Sequence, residues 1–255
     1  MASTVQNTDV KQKNAEHTVV VAITSHSVFE SRDGDDVFGA GLAFPLLQAL
    51  QRVNEQLLEG NPDESLLFDV VLVTTDRKQQ QQRSLIMSST THHGLDVSRF
   101  CFSCEEDFVE SLQTNAVDLF LSTDRKELLQ ASEQGVVSAL LETHSASPPL
   151  EQLRILFCGD FLIQPDAGLK LAGAQSAKGF LSRLGEVRRR FSVQDSPLSI
   201  TVLTSRGGRE SCGSAICVLR SFGINADEAY CLAGAPRAPI LNVLQPHFIF
   251  MSFDG

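Results

Sequence analysis

Aliphatic and β-branched runs alternate along this chain with stretches of helical spacing. Residues 18–24 (TVVVAIT) are apolar at successive positions, which suits a strand buried on both faces. Residues 68–75 (FDVVLVTT) and 117–122 (VDLFLS) repeat that pattern, and 136–141 predict a fourth strand. Between the first two, residues 44–58 place Leu46, Leu47, Leu50, Val53, Leu57 and Leu58 at helical spacing, with Pro45 in a first-turn position. Residues 143–150 (THSASPPL) break the pattern with two prolines and small polar residues, and 143–152 read as a linker. The alternation then restarts. Strands are predicted at 153–157, 198–204, 228–232 and 247–250, and helices at 178–191 and 211–222, with Gly223 as a C-terminal cap. In the first of these helices Phe180, Leu181, Leu184 and Val187 share one side, and Arg183, Arg188, Arg189 and Arg190 are expected to form a solvated face. Such alternation is the signature of an α/β protein with a largely parallel sheet. The expected organisation is a disordered tail over 1–17, an N-terminal α/β half over 18–142, and a second half over 153–255.

Composition narrows the function classes. The chain has 255 residues, a hydrophobic share of 42% and a formal net charge of −10. An acidic surface repels nucleic-acid backbones and anionic membranes, so neither is an expected partner, while a small anion can still enter a locally positive pocket. No apolar run approaches the roughly eighteen residues that span a bilayer. The N-terminal residues lack a signal-peptide core, which makes the cytoplasm the expected compartment. Six cysteines in a chain of this length do not make a disulfide scaffold. Cys101 and Cys104 form a CxxC with His92 and His93 upstream. No second CxxC completes a zinc site, so free thiols near a loop are the plainer reading.

Ligands of parallel α/β sheets bind just beyond the carboxyl ends of the strands. Four stations follow the predicted C-terminal strands. They are Cys158-Gly159-Asp160, Thr204-Ser205-Arg206, the stretch from Ala233 to Arg237, and Met251-Ser252-Phe253-Asp254. Taken singly these are weak signals. Cys158 reads as a small buried hydrophobe, Asp160 as a turn cap, Thr204 as a strand residue and Arg237 as a surface charge.

Longer segments carry more information. FGAGLAFPLLQALQRVNEQL, LFDVVLVTT, RILFCGD, AKGFLSRLGEVRRRF, VLTSRGGRESCGSAICVLRSFGI and CLAGAPRAPILNVLQPHFIF resemble, in order, segments of the cytosolic type 1 5′-nucleotidases. The resemblance implies a haloacid-dehalogenase-like (Rossmann-like) parallel sheet flanked by helices in the C-terminal half, with a smaller α/β N-terminal half. It implies Mg²⁺-dependent hydrolysis of nucleoside 5′-monophosphates, chiefly AMP, in the cytoplasm, by a homo-oligomer. In that chemistry one aspartate attacks phosphorus and a second, two residues on, is the general acid and base. By the resemblance Asp160 takes the acid/base position. Thr204, Ser205 and Arg206 take the phosphate-binding stretch, Arg237 the charge-neutralising lysine position, and Asp160 with Asp254 the metal positions.

Three stations depart from the family pattern. Cys158 stands where F-D-G-D has its first aspartate. Arg237 stands where G-A-P-K has lysine, keeping charge with a different geometry. Met251 and Ser252 stand where paired aspartates follow P-H-x-x-F. Only about seventeen residues separate Asp160 from Lys178, where the family carries a longer cap insertion, so a reduced cap is expected. The chain also ends at Gly255, where relatives continue. Cys158 is not rescued by a Cys-x₅-Arg phosphate loop, because Gly-Asp-Phe-Leu-Ile-Gln-Pro follows it. Two functional readings remain, beside that of a truncated or divergent gene product with no stable role. One is a 5′-nucleotidase with impaired chemistry. The other is a catalytically inactive relative that binds nucleotides or a partner.

Overall fold

The computed structural model describes residues 2–14, 17–30, 37–142, 152–163, 171–192, 195–207 and 209–251. The expected linker, apart from Gln152, and Asp254 lie outside these residues. The first strand, β1 (Ser3–Gln6), pairs antiparallel with β6 (Val97–Phe102). The N-terminal residues expected as a disordered tail thus supply a sheet edge, and Asn7 anchors them by donating to the Val97 carbonyl at 2.8 Å. The chain continues through β2 (Val19–Thr24), the short α1 (Ser25–Val28), and a two-stranded ribbon of β3 (Phe29–Glu30) and β4 (Gly39–Ala40). Then come α2 (Phe44–Gly60), β5 (Phe68–Thr74), α3 (Arg77–Gln81), α4 (Arg83–His92) and β6. After β6 follow α5 (Phe108–Thr114), β7 (Leu119–Ser122), α6 (Arg125–Glu133) and β8 (Ser138–Leu141).

The C-terminal half begins with β9 (Leu153–Cys158), which runs directly into α7 (Gly159–Ile163). Next come α8 (Leu171–Arg189), β10 (Leu198–Thr204), α9 (Arg209–Ser221), β11 (Glu228–Cys231), α10 (Ala238–Leu244) and β12 (Phe248–Phe250). Among the described residues the main sheet has ten strands in the order β1-β6-β5-β2-β7-β8-β12-β9-β10-β11. Six of them come from the N-terminal half, so that half carries more of the sheet than the C-terminal half.

Pairing is parallel except at β1 and at the seam between the halves, where β12 meets β8 antiparallel. The strands of the two halves therefore run in opposite directions. Their carboxyl ends lie on opposite edges of the sheet. Within each half the first parallel strand has neighbours on both sides, β2 between β5 and β7, and β9 between β10 and β12. Each half thus has its own crevice at a switch in strand order, where ligands of open α/β sheets bind.

Both faces of the sheet are covered, and this is why β2 and β5 are apolar at nearly every position. Val19, Val21 and Ile23 face one cluster with Phe157, Phe180 and Phe250, while Val20 and Ala22 face a second with Phe108 and Phe120. The expected solvated face is seen only in part, since Arg189 and Arg190 are exposed whereas Arg183 is half-buried and Arg188 is buried. Arg183 pairs with Asp118 at 2.6 Å and donates to the Thr18 carbonyl at 2.9 Å. Arg188 is only 5% exposed and pairs with Asp227 at 2.8 Å, and Arg190 pairs with Glu64 at 2.8 Å. Two of these three pairs, from Arg183 in α8 and from Arg190 just after it, reach into the N-terminal half and tie the halves together. Burial still holds the Asp118 carboxyl above its ordinary range despite the nearby guanidinium.

Candidate active site

The site is assembled at the carboxyl edge of the C-terminal half. Cys158 is the last residue of β9 and is buried, 5% exposed. Gly159 opens α7 rather than a free turn, and no other residue fits there. A Cβ at 159 would lie 2.4 Å from the Thr204 Cγ2 and 3.2 Å from the Ala215 Cβ. That close approach fixes the start of α7 against the end of β10. The backbone N–H groups of Asp160 and Phe161 consequently turn back onto the Cys158 sulfur. They and the Arg237 charge favour a thiolate. Burial opposes it more strongly, and the Asp160 charge adds to the opposition, so the Cys158 thiol is pushed up from its ordinary value. At neutral pH the group at this strand end is a protonated thiol.

Asp160 is the second residue of α7. Its Oδ2 accepts from the Ser205 backbone N–H at 2.8 Å and from the Ser205 hydroxyl at 2.5 Å. The Arg237 guanidinium stands 3.9 Å from the same oxygen, and its side chain is 41% exposed. The other oxygen, Oδ1, is buried with no hydrogen-bond partner among the described residues. Asp160 is thus clamped by one oxygen and leaves the second for an incoming group.

The stretch Thr204-Ser205-Arg206 divides three ways. Thr204 is fully buried, and its hydroxyl donates to the Arg206 carbonyl at 3.2 Å. Ser205 is the hydroxyl that meets Asp160. Arg206 is exposed at the mouth. The loop carrying Arg237 is held against this stretch, because Gly234 N–H donates to the Ser205 carbonyl at 3.1 Å and Leu232 N–H to the Thr204 carbonyl at 2.9 Å. The structure therefore brings together Cys158, Asp160, Ser205 and Arg237. The pairing of Ser205 with Asp160 was not legible in the residues themselves, since it depends on how far β9 and β10 are offset.

Met251 packs on the cluster of Leu156, Leu203 and Ile249, as a thioether would. Among the described residues no group of three His, Cys, Asp or Glu side chains is placed to hold a metal ion. Mg²⁺ takes oxygen ligands. The described donors here are one free carboxylate oxygen, a protonated thiol and a thioether, and that set does not fit it. The CxxC upstream is also split. Cys101 is buried in β6, and the Cys104 thiol donates to Asp107 at 3.2 Å.

The sequence profile described as 5′-nucleotidase matches residues 22–176 and 170–254. The chain belongs to the 5′-nucleotidase family. It is also 29% identical to human cytosolic 5′-nucleotidase 1B over 286 residues, covering 94% of this chain and 46% of that protein. The chain therefore spans about half the length of this curated relative. The aligned span exceeds the chain's own 255 residues, so within it the relative carries residues that this chain lacks. The two profile matches overlap at 170–176, between Asp160 and Lys178. Among the described residues no helix is long and apolar enough to cross a membrane.

Proposed function

We propose that this member of the family binds nucleoside 5′-monophosphates of the AMP type at the carboxyl edge of β9, β10 and β12, and hydrolyses them poorly or not at all. The observation that carries this reading is the buried thiol of Cys158, held protonated where the family's chemistry needs an attacking carboxylate. Losing a catalytic nucleophile costs on the order of 10⁶ in kcat in a well-studied hydrolase. A protonated thiol beside the Asp160 carboxylate does not replace it.

Binding is supported separately from turnover. Arg237 and Arg206 place positive charge at the mouth, and the Asp160 Oδ1 lacks an internal partner. Asp160 would accept a proton from, or return one to, the ester oxygen, and Ser205 would fix its orientation. The two profile matches that overlap before Lys178 support a reduced cap, which leaves the nucleoside more exposed than a full cap would. The family's Mg²⁺ lacks its oxygen donors among the described residues, so no step is assigned to it. A cytoplasmic location and assembly into a homo-oligomer follow from the family alone.

Thermal unfolding with increasing AMP tests the binding claim. A ligand that binds the folded state raises Tm in proportion to the logarithm of its concentration once saturating. AMP is expected to raise Tm and adenosine to raise it less, because the arginines read the phosphate. Equal effects of AMP and adenosine, or none from any monophosphate, would remove the nucleotide reading and leave a partner-binding role.

A further inference from the structure

Two of the free cysteines flank the site as a pair. Cys231 ends β11 and is exposed, and Cys212 lies on α9 and is half-buried. Alternation along β11 settles which way Cys231 faces. Tyr230 packs on the side of α10, with Leu232, Ile240 and Leu241 around it. Cys231, the next residue, therefore points to the opposite face, where α9 lies. Cys212 shares the sheet-facing side of α9 with the buried Ala215, three residues on, and Cys231 is the neighbouring thiol that acts on it. Cys217, also on α9 and exposed, lies five residues on and so on another side of the helix.

The elements that hold this pair are the elements that present the site. Residue 204 pairs with residue 231 in the register of β10 and β11. The 205–207 loop joins β10 to α9, and the 232–237 loop leaves β11 toward Arg237. The loops already touch. A Cβ at Gly207 would lie 2.9 Å from the Ala233 Cβ. A covalent bond between 212 and 231 would fix the distance between the loop that carries Ser205 and Arg206 and the loop that carries Arg237.

The geometry points to a reversible dithiol–disulfide switch formed by Cys212 and Cys231, which locks the two phosphate-facing loops when oxidised. The oxidant class is a low-molecular-weight disulfide such as oxidised glutathione. The exposed Cys231 thiolate attacks one sulfur of that disulfide and releases the first glutathione thiolate. The Cys212 thiolate then attacks the Cys231 sulfur of the mixed disulfide and releases the second. Two protein thiols lose two electrons and two protons, and one disulfide becomes two thiols. Burial, then the neighbouring thiol, raises the Cys212 thiol, which makes it the slower, resolving partner.

The experiment incubates the full chain in glutathione buffers of stepped redox ratio, then maps peptides by mass. The expected product is a linked peptide pair containing Cys212 and Cys231, with Cys217 carrying separate glutathione. Separate glutathione adducts on Cys212 and Cys231, with no linked pair, would overturn the switch. The bond closes a loop of about twenty residues, so Tm should rise by about 5–10 °C on oxidation and fall back with reductant. That rise should vanish in Cys231→Ser. A linked pair with unchanged Tm would overturn the locking. The effect on ligand binding rests on the nucleotide reading above. It is read apart, as a change of at least threefold in apparent AMP affinity between oxidised and reduced protein. Should AMP bind neither form while the linked pair still appears, the switch stands and the nucleotide reading falls.

Discussion

The two halves of the sheet each open a crevice at a switch in strand order, and the two crevices are filled differently. At the N-terminal one, beyond β2 and β7, the polar groups satisfy one another. Thr24 and Ser27 hydroxyls meet at 2.7 Å, Ser27 and Thr123 at 3.3 Å, and Ser122 donates to Glu127 at 2.5 Å. At the C-terminal one, beyond β9 and β12, the Asp160 Oδ1 is left without a partner, while Arg237 stands 3.9 Å from the Oδ2 that Ser205 already holds. Topology alone nominates both crevices. The hydrogen-bond inventory distinguishes them, because a buried polar atom left unpaired is costly and is tolerated where a ligand completes it. The described polar groups of the N-terminal crevice pair with one another, and the C-terminal one keeps a buried carboxylate oxygen unpaired.

The comparison can be broken at several points. The largest effect is expected at Arg188, which holds the C-terminal half by pairing with Asp227, itself the acceptor for the Ile200 N–H. Arg188→Leu should cost about 2 kcal/mol in chemical denaturation, since it removes a charge-assisted hydrogen bond made by a buried guanidinium to Asp227. A loss under about 1 kcal/mol would return Arg188 to the solvated face that its sequence suggests. Next come Thr24→Val and Ser205→Ala, one in each crevice. Both should cost about 1–2 kcal/mol. Only Ser205→Ala should reduce the AMP-induced rise in Tm. Equal reduction by Thr24→Val would mean that the closed crevice also serves the ligand.

The smallest effect concerns pH. The Cys158 thiol titrates above its ordinary value in the folded state, so the folded protein holds that proton more tightly than the unfolded chain. Its contribution to stability is complete below the unfolded thiol value of about 8.5 and is lost as pH rises through the folded value. Stability curves of the wild type and Cys158→Ala should diverge only above that pH, with the wild type falling faster. Parallel curves through pH 10 would show that the thiol is not raised.

Much of this was legible in the residues. The runs that became β2, β5 and β10 are buried on both faces and carry no charge that obscures them, apart from Asp69 in β5. Pro45 and Gly223 marked the ends of α2 and α9, and Gly223 does adopt a positive φ of 77°. β6 went unread because Ser98 and Arg99 interrupt its apolar pattern. The fold absorbs both, with Ser98 donating to the Val70 carbonyl and Arg99 pairing with Asp69 at 2.8 Å. Arg183 and Arg188 misled for the same reason, since their partners are distant in sequence, while Arg189 and Arg190 are exposed as their sequence suggests. At the site, the stations were legible from strand ends. The clamp of Ser205 on Asp160 was not, because it depends on the packing of Gly159 against Thr204.

The most direct measurement is phosphate release from AMP by the purified chain, in magnesium, beside Cys158→Asp. The account predicts wild-type turnover at or near background, before and after chelation. It predicts that Cys158→Asp, if it gains activity, does so only with metal present. Robust wild-type turnover, unchanged by chelation, would contradict it, because the buried thiol would then be working as a nucleophile without a carboxylate or a metal.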